Sequence, residues 1–181
     1  MREEVNQEAL WVLRAQCGDS EALELLVRRI QPSLRRYLAG LVGRSEADDV
    51  LQDVLILIYR KLKSLEAPEL FRPWAFRVAN RAGLRHLKKC RRSSEHVHEH
   101  TCLDSVPART TSLDEESLQE LLSTSRISPG CSAVLTLHFA EQLSLAEVAD
   151  VLEIPLGTVK SRLAYGLAAL RKQMDGDQRS P

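Results

Sequence analysis

The chain has 181 residues with 25 basic and 25 acidic side chains, no formal net charge, 44% hydrophobic content and only 4% aromatic content. That length admits two small domains or one medium one. The abundance of Leu, Ala, Glu and Arg, with few β-branched runs, excludes a sheet-dominated protein. An all-α fold is expected, with two small helical domains joined by a flexible linker and a helix-turn-helix in the second. No stretch approaches the ~20 apolar residues of a membrane span, and Met1-Arg-Glu-Glu-Val5 has neither the basic start nor the apolar run of a signal peptide. A cytoplasmic protein that is not inserted in a membrane is expected. Cys17, Cys90, Cys102 and Cys131 form no CxxC pair, which in a reducing compartment reads as free thiols rather than a disulfide framework.

The neutral average conceals a segregation of charge along the chain. Glu3 to Glu24 and Asp104 to Glu120 are acidic, whereas Phe71 to Ser94 holds no carboxylate and includes Arg72, Arg77, Arg81, Arg85, Lys88, Lys89, Arg91 and Arg92. Local sign, not net charge, sets the partner.

Taken in order, Glu8 to Arg14 and Ser20 to Leu41 read as amphipathic helices, broken at Gly18-Asp19-Ser20 with Ser20 as a plausible cap. Pro32 is expected near the start of a helical turn, where its missing amide costs little. A third helix is expected to begin at Ser45, capped by its hydroxyl, and to run to Leu62 with an acidic start and a basic end, as the helix dipole prefers. Val50, Leu51, Val54, Leu57, Ile58 and Leu62 give it an apolar face. Asp49, Gln52, Asp53 and Ile56 are left as a surface that suits either a docking face or a solvated acidic one. Ser64 to Leu70 reads as a loop.

Phe71 to Lys89 then reads as a long basic helix. Trp74, Val78, Leu84 and Leu87 are expected to face a core, and Arg77, Arg81, Arg85 and Lys88 form a stripe that would track a phosphate backbone. Phe71, Trp74 and Phe76 beside these cations suit unstacked bases as well as a core, with a core role favoured for Trp74. Arg91 to Ser112 is polar and aperiodic, a linker. Leu113 to Leu122 reads as the first helix of the second domain, and Ser128-Pro129 starts another that runs through Leu137.

In Ser144 to Leu163 the spacing predicts a helix, a tight turn and a second helix. Ser144 and Glu147 form an S-x-x-E capping box, and Leu145, Val148, Ala149 and Leu152 recur on one face. Pro155 and Gly157 mark the turn. Val159, Leu163, Leu167 and Leu170 line the next helix, leaving Thr158, Lys160, Ser161, Arg162 and Tyr165 outward. An exposed, cationic N-terminal half suits the DNA major groove, although a helical hairpin with a solvated basic face has the same pattern. Gly166 should weaken this helix by ~1 kcal/mol relative to Ala.

Four segments in register resemble the extracytoplasmic function sigma factors of the bacterial sigma-70 family. Gly18-Asp-Ser-Glu-Ala-Leu-Glu-Leu-Leu26 is similar to that family's opening helix, and Ala47-Asp-Asp-Val-Leu-Gln-Asp53 to its polymerase-binding helix. Phe71-Arg-Pro-Trp-Ala-Phe-Arg-Val-Ala79 is similar to the segment that opens and reads the minus-ten element, and Leu145 to Arg171 to the module that reads the minus-thirty-five element. The resemblance implies residues 1–92 as a region 2 domain, 93–112 as a linker and 113–175 as a region 4 domain. It implies that Asp48, Asp49, Gln52, Asp53 and Ile56 meet the clamp coiled coil of the largest subunit of core RNA polymerase. Displaced single-stranded promoter DNA would meet Phe71, Arg72, Arg77, Asn80, Arg81, Arg85 and Lys88, and upstream duplex would meet Thr158, Lys160, Ser161 and Arg162. Arg81 and Arg85 depart from the residues common in the family at those places, so its minus-ten preference does not carry over.

The resemblance further implies a non-catalytic specificity subunit with no cofactor and no small-molecule substrate, controlled by an anti-sigma factor. Alternatives are a sigma-like decoy that sequesters an anti-sigma factor and a stand-alone helix-turn-helix regulator that binds duplex DNA. His86 and His138 have no Cys, Ser or carboxylate partner at a recognisable spacing, which disfavours an enzyme. His96, His98, His100 and Cys102 are candidate transition-metal ligands, because alternate residues of an extended segment share a face. Their spacing is not that of a structural zinc site, and a merely His-rich linker accounts for them as well.

Overall fold

The computed structural model describes residues 2–94 and 127–177, and all regular structure among them is helical. The chain divides into two compact units, residues 1–91 and 92–181. The first is built from α1 (Arg2–Gln16), α2 (Ser20–Val42), α3 (Arg44–Lys61), two short 3₁₀ turns (Leu62–Ser64 and Pro68–Leu70) and α4 (Phe71–Ser94).

The break between α1 and α2 is made by Gly18, whose φ of +97° only glycine adopts without strain. Asp19, not Ser20, caps α2. Its carboxylate accepts from the amides of Glu21 and Ala22 at 3.0 and 3.1 Å and pairs with Arg14. The Ala22 amide, with Arg14 second, holds the Asp19 carboxyl below its ordinary range. Pro32 lies well inside α2 rather than near a start, and the helix passes through it unbroken. The amide it lacks is one bond in a long helix whose buried face, Leu26, Ile30, Leu34 and Leu38, is fixed by packing. At ~1.5–3 kcal/mol for each fully buried aliphatic side chain, that face outweighs the lost bond. Gly43 precedes α3 at φ +94° and no side chain caps that helix, so the cap expected at Ser45 is not formed.

Val50, Leu51, Val54, Ile58 and Leu62 are buried as their spacing predicts, and Leu57 is half-buried. The segment expected as a loop is more ordered than that. The Gln16 side-chain amide donates to the carbonyls of Leu62 and Leu65 at 2.9 and 2.8 Å, tying its entrance to the end of α1.

The buried face of α4 is not the expected one. Phe71, Ala75, Phe76, Ala79 and Ala82 are buried, while Trp74, Val78 and Leu87 are half-buried and Leu84 is 42% exposed. Small side chains let α4 approach α2 closely. A Cβ on Gly83 would lie 2.6 Å from Leu41 Cδ2. Phe76 meets Tyr37 edge to face at 5.6 Å between centroids, a geometry that opposes the positive ring edge to the negative face.

In the second unit, α5 (Pro129–Leu135) continues into a π-helical turn (Thr136–Ala140), followed by α6 (Leu145–Leu152) and α7 (Leu156–Asp177). Ser128 caps α5, accepting from the Cys131 amide, with Pro129 in the first turn where it needs no donor. Val134, Leu135, Leu137, Val148, Val151, Val159 and Leu170 make the core.

Candidate functional site

On α3, Asp48, Asp49, Gln52, Asp53 and Ile56 are all exposed. They are not equivalent. Arg35 of α2 donates to both carboxylate oxygens of Asp48, Nε to Oδ1 at 2.6 Å and a terminal nitrogen to Oδ2 at 3.0 Å. This bidentate pair holds the Asp48 carboxyl below its ordinary value, with the Arg35 hydrogen bond as the largest cause, and raises the guanidinium in turn. Asp48 thus has its charge answered within the protein. Asp49, Gln52, Asp53 and Ile56, at positions i, i+3, i+4 and i+7, form a face that a second molecule meets without breaking an internal ion pair.

On α4 the cationic stripe is present, with adjustments. Arg81, Arg85 and Lys88 are exposed and Arg77 is half-buried. Leu84, expected in the core, sits among them on the surface. Three of the side chains grouped with the stripe are turned inward. Phe71 is 2% exposed and packs on Trp74, and Asn80 is 3% exposed and accepts the Tyr37 hydroxyl at 2.9 Å. Arg72 lies 3.5 Å from the largely buried carboxylate of Glu8, which Arg29 also meets at 3.1 Å. Phe71 and Asn80 are core side chains rather than surface contacts. The cause is the rotation of α4, which buries its alanines and Phe76, the latter against Tyr37 of α2.

His86 has partners that its sequence context did not reveal. Its Nε2 lies 3.3 Å from Glu46 of α3 and 3.4 Å from the Cys90 thiol, one helical turn on. Cys90 at i+4 overturns the expectation that His86 lacks a Cys partner, and packing of α3 on α4 brings Glu46 to it. No group of His, Cys, Asp and Glu side chains among the described residues is arranged to hold a metal ion. The candidate ligands His96, His98, His100 and Cys102 lie outside the described residues, as do the linker core and the helix expected at Leu113 to Leu122.

In the second unit the capping box forms as expected. The Ser144 hydroxyl accepts from the Glu147 amide at 3.2 Å, and the Glu147 carboxylate accepts from the Ser144 amide at 2.8 Å. The turn is made differently from the expectation. Glu153 ends α6 in the left-handed conformation at φ +55°, and Gly157 is already inside α7. Lys160 and Ser161 are exposed and Thr158 half-buried, and the Ser161 hydroxyl donates to the Thr158 carbonyl at 3.0 Å. Arg162 is half-buried, lying against the start of α5 so that a Cβ on Gly130 would come 3.1 Å from its guanidinium carbon. Tyr165 is 74% exposed. His138 is committed to the turn, its Nδ1 2.7 Å from the Leu143 carbonyl.

Residues 26–93 match Sigma-70 region 2, and residues 125–172 match Sigma-70, region 4. A sigma-E factor of this kind from Haemophilus influenzae is 27% identical over 175 residues, which is 90% of this chain and 92% of that protein. The RNA polymerase sigma-H factor of Pseudomonas aeruginosa is 29% identical, covering 93% of this chain and 94% of that protein. Among solved structures, the sigma factor RpoE in complex with the anti-sigma factor NepR from Bartonella quintana aligns at a TM-score of 0.69 and 21% identity, over 84% of this chain and 96% of that one. CnrH in complex with the cytosolic domain of CnrY aligns at 0.65 and 22% identity, over 94% of this chain and 99% of that one. Two region matches in the right order, on two helical units whose second carries a capped helix-turn-helix, place this chain in the sigma-70 family as an extracytoplasmic function RNA polymerase sigma factor.

Proposed function

We propose that the protein binds core RNA polymerase through Asp49, Gln52, Asp53 and Ile56 of α3 and promoter DNA through α4 and the start of α7. The observation that carries this reading is the opposition of surfaces on neighbouring helices. Exposed carboxylates with an aliphatic side chain stand on α3, and exposed cations follow one another along α4. The acidic face suits a basic clamp coiled coil, because charge complementarity sets approach and register while Ile56 supplies apolar area to bury.

Along α4, Arg77, Arg81, Arg85 and Lys88 would neutralise phosphates of the displaced strand. Lys160, Ser161 and Thr158 would meet the upstream duplex in its major groove. Asp48 and Arg162 act chiefly as positioning residues in this reading, and Phe71, Arg72 and Asn80 set the placement of α4. Residues 1–92 act as the polymerase and minus-ten domain, 93–112 as a tether and 113–175 as the minus-thirty-five domain. The chain contributes no covalent step and works in the cytoplasm, where polymerase is. No helix among the described residues is long and apolar enough to cross a membrane. An anti-sigma factor is the expected regulator, by analogy with the Bartonella quintana complex.

Run-off transcription with purified core polymerase on a genomic promoter library tests this. Specific initiation should require the protein and should disappear with Asp49→Ala and with Arg77→Ala. Initiation that survives both changes removes the proposed surfaces.

A further inference from the structure

An inward stripe runs along α1 at i, i+4 and i+8: Glu8, Val12 and Gln16. Val12 is fully buried and Glu8 nearly so. At one end of the stripe the Glu8 carboxylate accepts from Arg29 of α2 at 3.1 Å and lies 3.5 Å from Arg72 of α4. At the other end the Gln16 side-chain amide donates to the carbonyls of Leu62 and Leu65, 46 and 49 residues further along the chain.

Both ends act on one stretch, from Leu62 to Arg72, which joins the end of α3 to the start of α4. That stretch is built from two 3₁₀ turns, and α1 packs against both of them. Short 3₁₀ turns close on hydrogen bonds of poorer geometry than those of an α-helix, so they do not by themselves fix the direction in which α4 leaves. Gln16 can give one N–H to each carbonyl. Burial alone would be served by an apolar side chain of the same length, whereas a half-buried amide aimed at two main-chain oxygens fixes the path of the backbone between two helices.

We propose that Gln16 is a positioning residue for promoter opening: by tying the Leu62–Leu65 turn to α1 it sets where the start of α4 stands when the displaced strand is held. The inference rests on the DNA reading of α4 given above. Gln16 touches neither polymerase nor DNA in this account and leaves the Asp49 face of α3 as it is. Its effect is therefore confined to the step that holds the strand open.

The full chain is compared as wild type, Gln16→Met and Gln16→Lys. Methionine keeps the length and has no donor, whereas lysine reaches as far and donates. Each is assayed by run-off transcription with core polymerase on the library promoter that wild type uses most strongly, as duplex and as the same template mismatched over the segment that wild type melts. Core affinity is measured by pull-down titration and helicity by circular dichroism. Q16M should bind core as wild type does and initiate about fivefold less on duplex. On the mismatched template, where melting no longer has to be offset, the loss should shrink below about twofold. Q16K should recover the wild-type ratio of duplex to mismatched initiation; a lysine charge that merely attracted DNA would raise both templates and leave the ratio where Q16M puts it. Undiminished duplex initiation by Q16M overturns the proposal. So does a loss equal on both templates, weakened core binding, or a Q16K ratio no better than that of Q16M. Absence of initiation by wild type on either template removes the function proposed above and this inference with it, whereas every other failure leaves that function standing.

Discussion

Gly157 and Gly166 lie on the same helix, and replacing each by Ala should move stability in opposite directions. Gly157 sits in the first turn of α7 with no atom within 4 Å of where a Cβ would stand, so Ala there gains only the smaller backbone entropy of the unfolded chain. That gain is up to ~1 kcal/mol. At Gly166 the same Cβ would lie 2.8 Å from Leu135 Cδ1 and 3.3 Å from its Cγ. Leu135 is fully buried and has no open side to retreat into. Overpacking of this kind costs ~1–3 kcal/mol, against the ~1 kcal/mol that Ala returns as a helix former. Gly166→Ala should therefore lose about 1 kcal/mol net, which reverses the expectation that this glycine merely weakens the helix. Native-state amide exchange at Val148 and Val159 reads the stability of this unit separately from the first. Equal stabilisation by both substitutions would refute the argument, because it would mean that α5 and α7 do not approach as closely as Gly166 permits.

Tyr37→Phe should cost ~1 kcal/mol, since it removes a buried donor from Asn80; urea unfolding followed by Trp11 and Trp74 emission checks it. Burial also pushes the Tyr37 hydroxyl above its ordinary value of 10. Stability from this group is then complete below pH 10 and falls by ~1.4 kcal/mol per unit as pH rises beyond it. That alkaline loss should shrink in Tyr37→Phe, and an identical profile in both proteins counts against it. Ser144→Ala should destabilise α6 by ~1 kcal/mol through loss of the cap, measured by exchange at Val148. For polymerase, Asp49→Asn should weaken core binding more than Asp48→Asn in a pull-down titration, because Arg35 already answers Asp48; the reverse order would reassign the docking face.

The outcome at each element follows how far apart in the chain its partners stand. The capping box of Ser144 and Glu147, the buried spacing of α3 and the cationic period of α4 were legible in the sequence, because helix geometry alone brings residues three and four apart together. The helix start at Ser128-Pro129 was legible too, because proline in a first turn needs no donor, whereas the Ser128 cap itself came only with the structure. Asp19 was missed in favour of its neighbour Ser20 because both side chains are good caps, and only the backbone of Gly18 decides which residue stands outside the helix. Gly157 was misplaced in the turn because Glu153 takes the left-handed conformation instead.

Tertiary structure alone decided the rotation of α4. An alanine-rich face reads as neutral in a periodicity argument, yet it is the face α4 buries, and at Gly83 the helix comes so close to Leu41 of α2 that a Cβ would not fit. That rotation buries Phe71 and Asn80 and leaves Leu84 on the surface. It also took packing to pair Asp48 with Arg35, Glu8 with Arg72 and His86 with Glu46, each across two helices. Sequence by itself determined the helices and the sign of each surface, since these depend on composition and local period, and its four motifs carried the resemblance to the family. Which charges within those surfaces remain free for a partner is a property of contacts between helices, and no local pattern encodes it.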